Sequence, residues 1–233
     1  RDHIVPKNYK NNSILVVAAH PDDEVLGCGG TISLHVNNGD KVSIVFFSDG
    51  VTSRNNTNSS FVNARKNAGI TACNRLGVKN IKFLDMPDNK LDTIPFLDLV
   101  QKLEKIIDEV NPLVVYTHFS GDLNIDHRIV HQVVMTACRP QPNYCVREIY
   151  SFEILSSTGW TSPVSKPCFS PNKYIDISQT LEDKLYALDA YKDELREFPH
   201  SRSAKSVEYL AKYRGSSVGL IAAEAFMVER ILN

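Results

Sequence analysis

The sequence has no Cys-x-x-Cys pair, and its five cysteines (Cys28, Cys73, Cys138, Cys145 and Cys168) are odd in number and widely spaced. This argues against both a thiolate zinc site and a disulfide framework, and leaves free, mostly buried thiols and a cytoplasmic setting as the expectation. No apolar run approaches the roughly 18–20 residues that cross a bilayer, so no membrane span is expected. No signal-peptide pattern opens the chain, and the first residue is Arg1 rather than Met, which leaves a trimmed N-terminus open. An excess of either charge is also missing. The 26 Lys and Arg nearly balance 27 Asp and Glu, and they nowhere crowd into a long basic stripe. Nucleic acid and anionic membrane are therefore not expected as partners. Neither an internal repeat nor a linker is found. The 233 residues read as one domain, 1–233, with a core over about 12–155 and a C-terminal extension over about 156–233.

What is present is an alternation. Residues 14–18 form a short apolar run that reads as a buried strand, and Glu24 to Val36 reads as a helix opening on glycines. Strand patterns recur at 41–48, 80–84, 113–117 and 148–153, and helical spacing recurs at 61–76, 94–110 and 126–138. Residues 53–60 read as a polar surface loop, and Gly77 as the glycine that stops the second helix. Such β-α-β-α order predicts an α/β fold: a Rossmann-like α/β/α three-layer structure with a mostly parallel sheet. Beyond it the pattern loosens. Residues 156–171 read as a long irregular loop, 176–195 and 203–213 as helical, and 218–232 as a final apolar stretch.

The most informative residues are Ala19-His20-Pro21-Asp22-Asp23-Glu24, directly after the first strand. Open α/β sheets place their chemistry where strands end and loops lead into helices. His20 and Asp23 are suitable zinc ligands, and Asp22 between them is a candidate base. A catalytic zinc site normally takes three protein ligands, and His127, in Asn124-Ile125-Asp126-His127 after the fourth strand, supplies a third. His118 competes as a ligand or serves as a donor to the substrate, and His131 is read as a supporting or structural histidine. Asp126 reads as the N-cap of the following helix, as a carboxylate that orients a histidine, or both. Asp49-Gly50 is either a plain turn or part of the site, Arg65 either a site residue or a surface arginine, and Trp160 either a substrate wall or a packing residue. Glu24 reads as a first-turn carboxylate favoured by the helix dipole.

The pair AHPDDE and DLNIDH, in this order, resembles the LmbE-like or PIG-L family of zinc-dependent sugar N-deacetylases. The resemblance extends through Gly27-Cys28-Gly29-Gly30, Ser48-Asp49-Gly50, the helix from Arg65 to Gly77, Tyr150 to Glu153, Pro199 to Ser203, and Arg214 to Phe226. It implies His20, Asp23 and His127 as metal ligands and Asp22 as general base. Two positions depart from the family. Asn124 stands where many members carry a histidine that stabilises the intermediate, and Ala68 stands where a glutamate often follows the helix arginine. Asn124, His118 or Arg65 then remain as donors to the carbonyl oxygen.

The expected activity is hydrolysis of the N-acetyl group of an N-acetylated amino sugar, a small-molecule substrate, with release of acetate. The expected cofactor is Zn2+, although a site of two histidines and one aspartate also accepts other divalent first-row metals. Arg202, Arg214 and Glu224 are read as shaping the pocket or a homo-oligomer interface. Two other readings compete: a metal-dependent hydrolase of another bond, and a metabolite-binding protein with a vestigial metal site. A dinucleotide site is disfavoured, because the glycines at 27–30 miss G-x-G-x-x-G and two carboxylates occupy the turn where a pyrophosphate would lie.

Overall fold

The computed structural model describes residues 11–53, 58–164 and 167–232. The loop expected over 53–60 and the one over 156–171 therefore fall partly outside the described residues. Five strands follow the alternation of the sequence: β1 (Ser13–Ala18), β2 (Lys41–Ser48), β3 (Asn80–Met86), β4 (Val114–His118) and β5 (Glu148–Phe152). Between them run α1 (Asp23–Asn37), α2 (Ser59–Arg75), α3 (Phe96–Val110) and α4 (Ile125–Ala137). β6 (Lys173–Asp176), α5 (Leu181–Leu188), α6 (Ala204–Ser216) and β7 (Ala223–Ile231) complete the order.

All seven strands form one sheet in the order β3-β2-β1-β4-β5-β7-β6. β1 to β5 are parallel, while β7 runs antiparallel to both β5 and β6. Alternate β1 side chains enter two different cores, as the two-residue period of a strand requires. Ile14, Val16 and Ala18 pack with α1, α2 and α5, whereas Leu15, Val17 and Ala19 pack with α3 and α4. β1 is buried on both faces, which is why it reads as an unbroken apolar run.

The structure departs from four expected spans. α3 begins at Phe96 rather than at residue 94, because Ile94 precedes Pro95 and is held extended, at φ −99 and ψ 135. Residues 176–195 are not one helix. The Asp176 Oδ1 accepts from the Ser178 N–H at 2.9 Å, ending β6 in a tight turn, and only Leu181–Leu188 is α-helical. The last apolar stretch is an antiparallel strand whose partners, β5 and β6, lie far back in sequence. The helix expected from residue 61 starts two residues earlier, where the Asn58 side chain caps it by accepting from the N–H groups of Ser60 and Phe61.

The glycines after the first motif are there for close packing. A Cβ on Gly27 would lie 2.3 Å from the Phe152 ring, and one on Gly30 would lie 2.8 Å from Ile177. α1 also bends between them, at Cys28 (φ −149, ψ 26), and its freed backbone groups turn to side chains of the C-terminal segment. The Gly30 and Thr31 N–H groups donate to Glu224, and the Leu26 carbonyl accepts from Lys184.

Candidate active site

The chain leaves β1 toward β2 and β3 on one side and returns to β4 and β5 on the other. β1 and β4 are therefore neighbours whose following loops diverge, which is the switch point where open α/β sheets bind ligands. Both sequence motifs sit at this place. His20 follows β1, and His127 lies in the first turn of α4, after β4.

Three ligand atoms converge here. His20 Nδ1 and Asp23 Oδ2 are 3.1 Å apart, His127 Nε2 lies 3.3 Å from Asp23 Oδ2, and the same His127 nitrogen lies 3.3 Å from His20 Nδ1. Zinc bonds of about 2.0–2.1 Å in a tetrahedron put neighbouring ligand atoms about 3.3 Å apart. The triangle thus fits one face of a zinc tetrahedron and leaves the fourth position for a small molecule. All three residues are buried, and among the described residues the other Asp23 oxygen, Oδ1, has no hydrogen-bond partner.

The electrostatics favour a cation. Burial works against a charged His127, yet Asp23 and Asp122 outweigh it and hold the imidazole up at about 9. Burial likewise opposes charge on His20, but Asp126, Asp23 and Asp88 raise it well above the ordinary histidine value. Asp23, despite the burial that would neutralise it, is held well below the usual carboxylate range by His127 and His118. Both histidines are thus biased toward their charged forms beside a carboxylate biased toward its own.

Carboxylates behind the histidines fix their orientation. His127 Nδ1 lies 3.2 Å from Asp122 Oδ1, and Asp122 Oδ2 accepts from the hydroxyls of Ser157 and Thr158 at 3.0 and 2.6 Å. His20 Nε2 lies 3.1 Å from both Asp126 Oδ2 and Asp88 Oδ1. Asp126 is itself held by the N–H groups of Asn89 and Leu91. Asp126 is therefore the orienting carboxylate and not the cap of α4. Asn124 caps that helix, its Oδ1 accepting from the N–H groups of Asp126 and His127.

Asp22 sits at φ 120 and ψ −27, a conformation that strains any residue with a side chain by about 1–3 kcal/mol. The surroundings hold it there. Its N–H donates to Glu24 Oε2 at 2.9 Å, and its carboxylate meets Arg65 Nη2, also at 2.9 Å. Glu24, in the first turn of α1 as expected, is thus a buried structural brace. Its other oxygen accepts from the Tyr191 hydroxyl at 2.5 Å, and burial pushes its carboxyl up to about 8.

Above the cluster lies a polar pocket of about 140 Å3 lined by His20, Asp22, Arg65, Asp88, Asn124 and Arg202, among others. Asn124 and Arg202 also border a larger cleft of about 570 Å3, walled by Trp160, His200 and Arg196. Trp160 is 60% exposed and meets His200 edge-on, so it stands at the cleft and not in a core.

His118 is placed differently from the expected substrate donor. It is wholly buried behind Asp23, stacked on His127 at 4.0 Å, and its Nε2 accepts from the Ala19 N–H at 2.9 Å. Burial and the charge of His127 hold it well below the ordinary histidine value, and its Nε2, which accepts from a backbone N–H, has no proton to give. Asp49 is a turn residue whose carboxylate accepts from the N–H groups of Val51 and Thr52 and from the Thr52 hydroxyl. His131 pairs with Glu229 away from the cluster. Glu224 braces α1 and Arg214 pairs with Glu153, while Arg202 alone of these three faces the pocket.

Reading the sequence missed Asp88, Asp122 and Glu194. Asp122 had a visible signal, a carboxylate two residues before the helix cap. Asp88 and Glu194 had none, because the loop after β3 and the segment after α5 are brought to the site only by the fold.

The sequence profile of the PIG-L family, GlcNAc-PI de-N-acetylase, matches residues 15–138. A probable N-acetyl-alpha-D-glucosaminyl L-malate deacetylase 2 from Bacillus cereus is 28% identical over 199 residues, covering 82% of this chain and 88% of that protein. Among solved structures, N,N'-diacetylchitobiose deacetylase from Pyrococcus horikoshii has a similar fold, with a TM-score of 0.75 at 21% identity over 93% of this chain and 83% of that one. The 4-carboxy-2-hydroxymuconate hydratase GalB from Pseudomonas putida matches equally well, with a TM-score of 0.75 at 21% identity over 95% of this chain and 98% of that one. The fold alone therefore does not select the reaction.

Proposed function

The chain belongs to the PIG-L family, and on that premise we propose that it is a zinc-dependent N-deacetylase that releases acetate from an N-acetylated amino-sugar conjugate. The observation that carries this reading is the triangle of His20, Asp23 and His127 atoms at 3.1–3.3 Å, which reaches through His20 a pocket also lined by the strained Asp22. These three residues would hold the metal, Zn2+ or another divalent first-row ion. Bound there, the ion supplies Lewis acidity toward the acetyl carbonyl and toward water.

The remaining chemistry falls to the chain's own residues. Asp22 faces the pocket beside ligand Asp23, takes a proton from the attacking water and returns it to the departing amine. Asn124 and Arg202 line the same pocket and are the donors open to the carbonyl oxygen; Arg65 is occupied by two carboxylates, and His118 is turned away. Asp122 and Asp126 keep the two histidines in register. The larger cleft, with Trp160 at its wall, receives the rest of the conjugate. We read the whole chain as one deacetylase domain whose C-terminal segment completes the pocket with Arg202 and Glu194.

The test is acetate release across a panel of N-acetylated sugar conjugates by metal-stripped protein before and after zinc is restored. Zinc-dependent release from at least one conjugate is expected. Folded, zinc-loaded protein that releases acetate from none of them overturns the reading in favour of a metabolite-binding role.

A further inference from the structure

Arg65 holds two carboxylates at once. Its side chain is 5% exposed and lies over the Tyr191 ring, with the guanidinium carbon 5.3 Å from the centroid. Nη2 meets Asp22 Oδ2 at 2.9 Å, and Nη1 meets Glu194 Oε1 at 3.2 Å. Arg202, the second arginine near Asp22, also addresses Oδ2, from 3.8 Å. Both arginines thus make their closest approach to Oδ2 and not to Oδ1.

That division matters, because a guanidinium facing a single carboxylate prefers the two-pronged arrangement that occupies both oxygens. Glu194 draws Nη1 to its own side, and among the described residues the buried Nε has no hydrogen-bond partner, so the fork is not closed on Asp22. We propose that Glu194 is a positioning residue that keeps Arg65 on one oxygen of Asp22 and so leaves Oδ1 open to the reacting proton. The proposal rests on the reading of Asp22 as the base. Glu194 comes from the segment after α5, its N–H donating to the Tyr191 carbonyl at 2.8 Å, so the C-terminal region sets the geometry of a residue in the first motif.

The fold offers a way to separate this role from a substrate contact. Ala68 lies one helical turn beyond Arg65 on α2, and the two line a second cavity, of about 280 Å3, together with Tyr191 and Glu194. A glutamate at 68 would meet Arg65 from that side, away from the substrate cleft.

In the zinc-loaded enzyme, Glu194→Gln is expected to lower kcat by about 10- to 100-fold, the cost of a misplaced catalytic group. KM and zinc content should stay unchanged, and Ala68→Glu added to Glu194→Gln should return most of the lost kcat. An unchanged kcat, a change in KM alone, or a folded double variant without recovery overturns the proposal. A second arm needs no turnover. In a crystal structure of Glu194→Gln, Arg65 should engage both Asp22 oxygens, and retention of the single-oxygen contact overturns the proposal even for a protein inactive on every conjugate. Inactivity of the unaltered enzyme overturns the deacetylase reading, a different outcome from either.

Discussion

The brace on α1 gives a stability prediction that can be worked from distances. Lys184 Nζ lies 2.5 Å from Glu224 Oε1 and 2.9 Å from the Leu26 carbonyl, and Glu224 accepts from the N–H groups of Gly30 at 3.0 Å and Thr31 at 2.7 Å. Both side chains are about 4% exposed. Glu224→Ala removes two charge-assisted hydrogen bonds from a bent helix and leaves the Lys184 ammonium buried without its counter-ion. Removing one partner of a buried pair costs about 3–5 kcal/mol, and the orphaned N–H groups fall within that range. Lys184→Met should cost somewhat less, because Glu224 keeps its two backbone donors. The double variant strands no charge, so its loss should be smaller than the sum of the singles by at least about 1 kcal/mol. Urea unfolding of metal-free protein, with equal m-values for the four proteins, measures this directly. A Glu224→Ala cost below about 1 kcal/mol, or a strictly additive cycle, refutes the reasoning.

Asp122→Ala frees His127 to rotate and should weaken zinc binding by about 10- to 100-fold in a competition titration; unchanged affinity would remove Asp122 from the site. Because His20 and His127 are both raised above the ordinary histidine value, zinc binding at pH 7 should release more than one proton, and apparent affinity should rise with pH. Calorimetry in buffers of different ionisation enthalpy reads that number, and a value near zero contradicts the assignment. Glu24, raised from its ordinary range to about 8, keeps a proton in the folded state that the unfolded chain has already lost. Its contribution is therefore complete in acid and declines as pH rises from about 4.5 to about 8, at no more than about 1.4 kcal/mol per unit. Glu24→Gln should flatten that slope in denaturant titrations, and an unchanged slope would show that Glu24 does not titrate there.

The five parallel strands were legible because four are largely buried, the fifth (β3) carries a half-buried apolar stretch, and all are bounded by turn residues or caps. β1 is the clearest case, its six residues flanked by Asn12 and the His20-Pro21 turn. The short strand Lys173–Asp176 was not legible. It has four residues, no clear alternation, and a partner near residue 224 that only the folded chain supplies. The cluster of His20, Asp23 and His127 was readable because two of its members are close in sequence and the third carries its own acidic-histidine motif. Its placement at the switch point was not, since strand order is a property of the sheet. Asn124 shows the limit of reading residue types. The sequence presented it as a substitute for a histidine at the pocket, and did not show that its side-chain oxygen also caps α4 while one Nδ2 proton goes to Asn89. His118 shows the same limit, because proximity to a strand end did not reveal which way its ring faces.

The central claim is that Asp22 works on a metal centre made by His20, Asp23 and His127. The most direct test is Asp22→Asn, measured for zinc content and for acetate release on the same sample. The variant should keep its zinc and lose acetate release by about 100-fold or more, the usual worth of a positioned acid–base group. Undiminished release with the zinc retained would contradict the account.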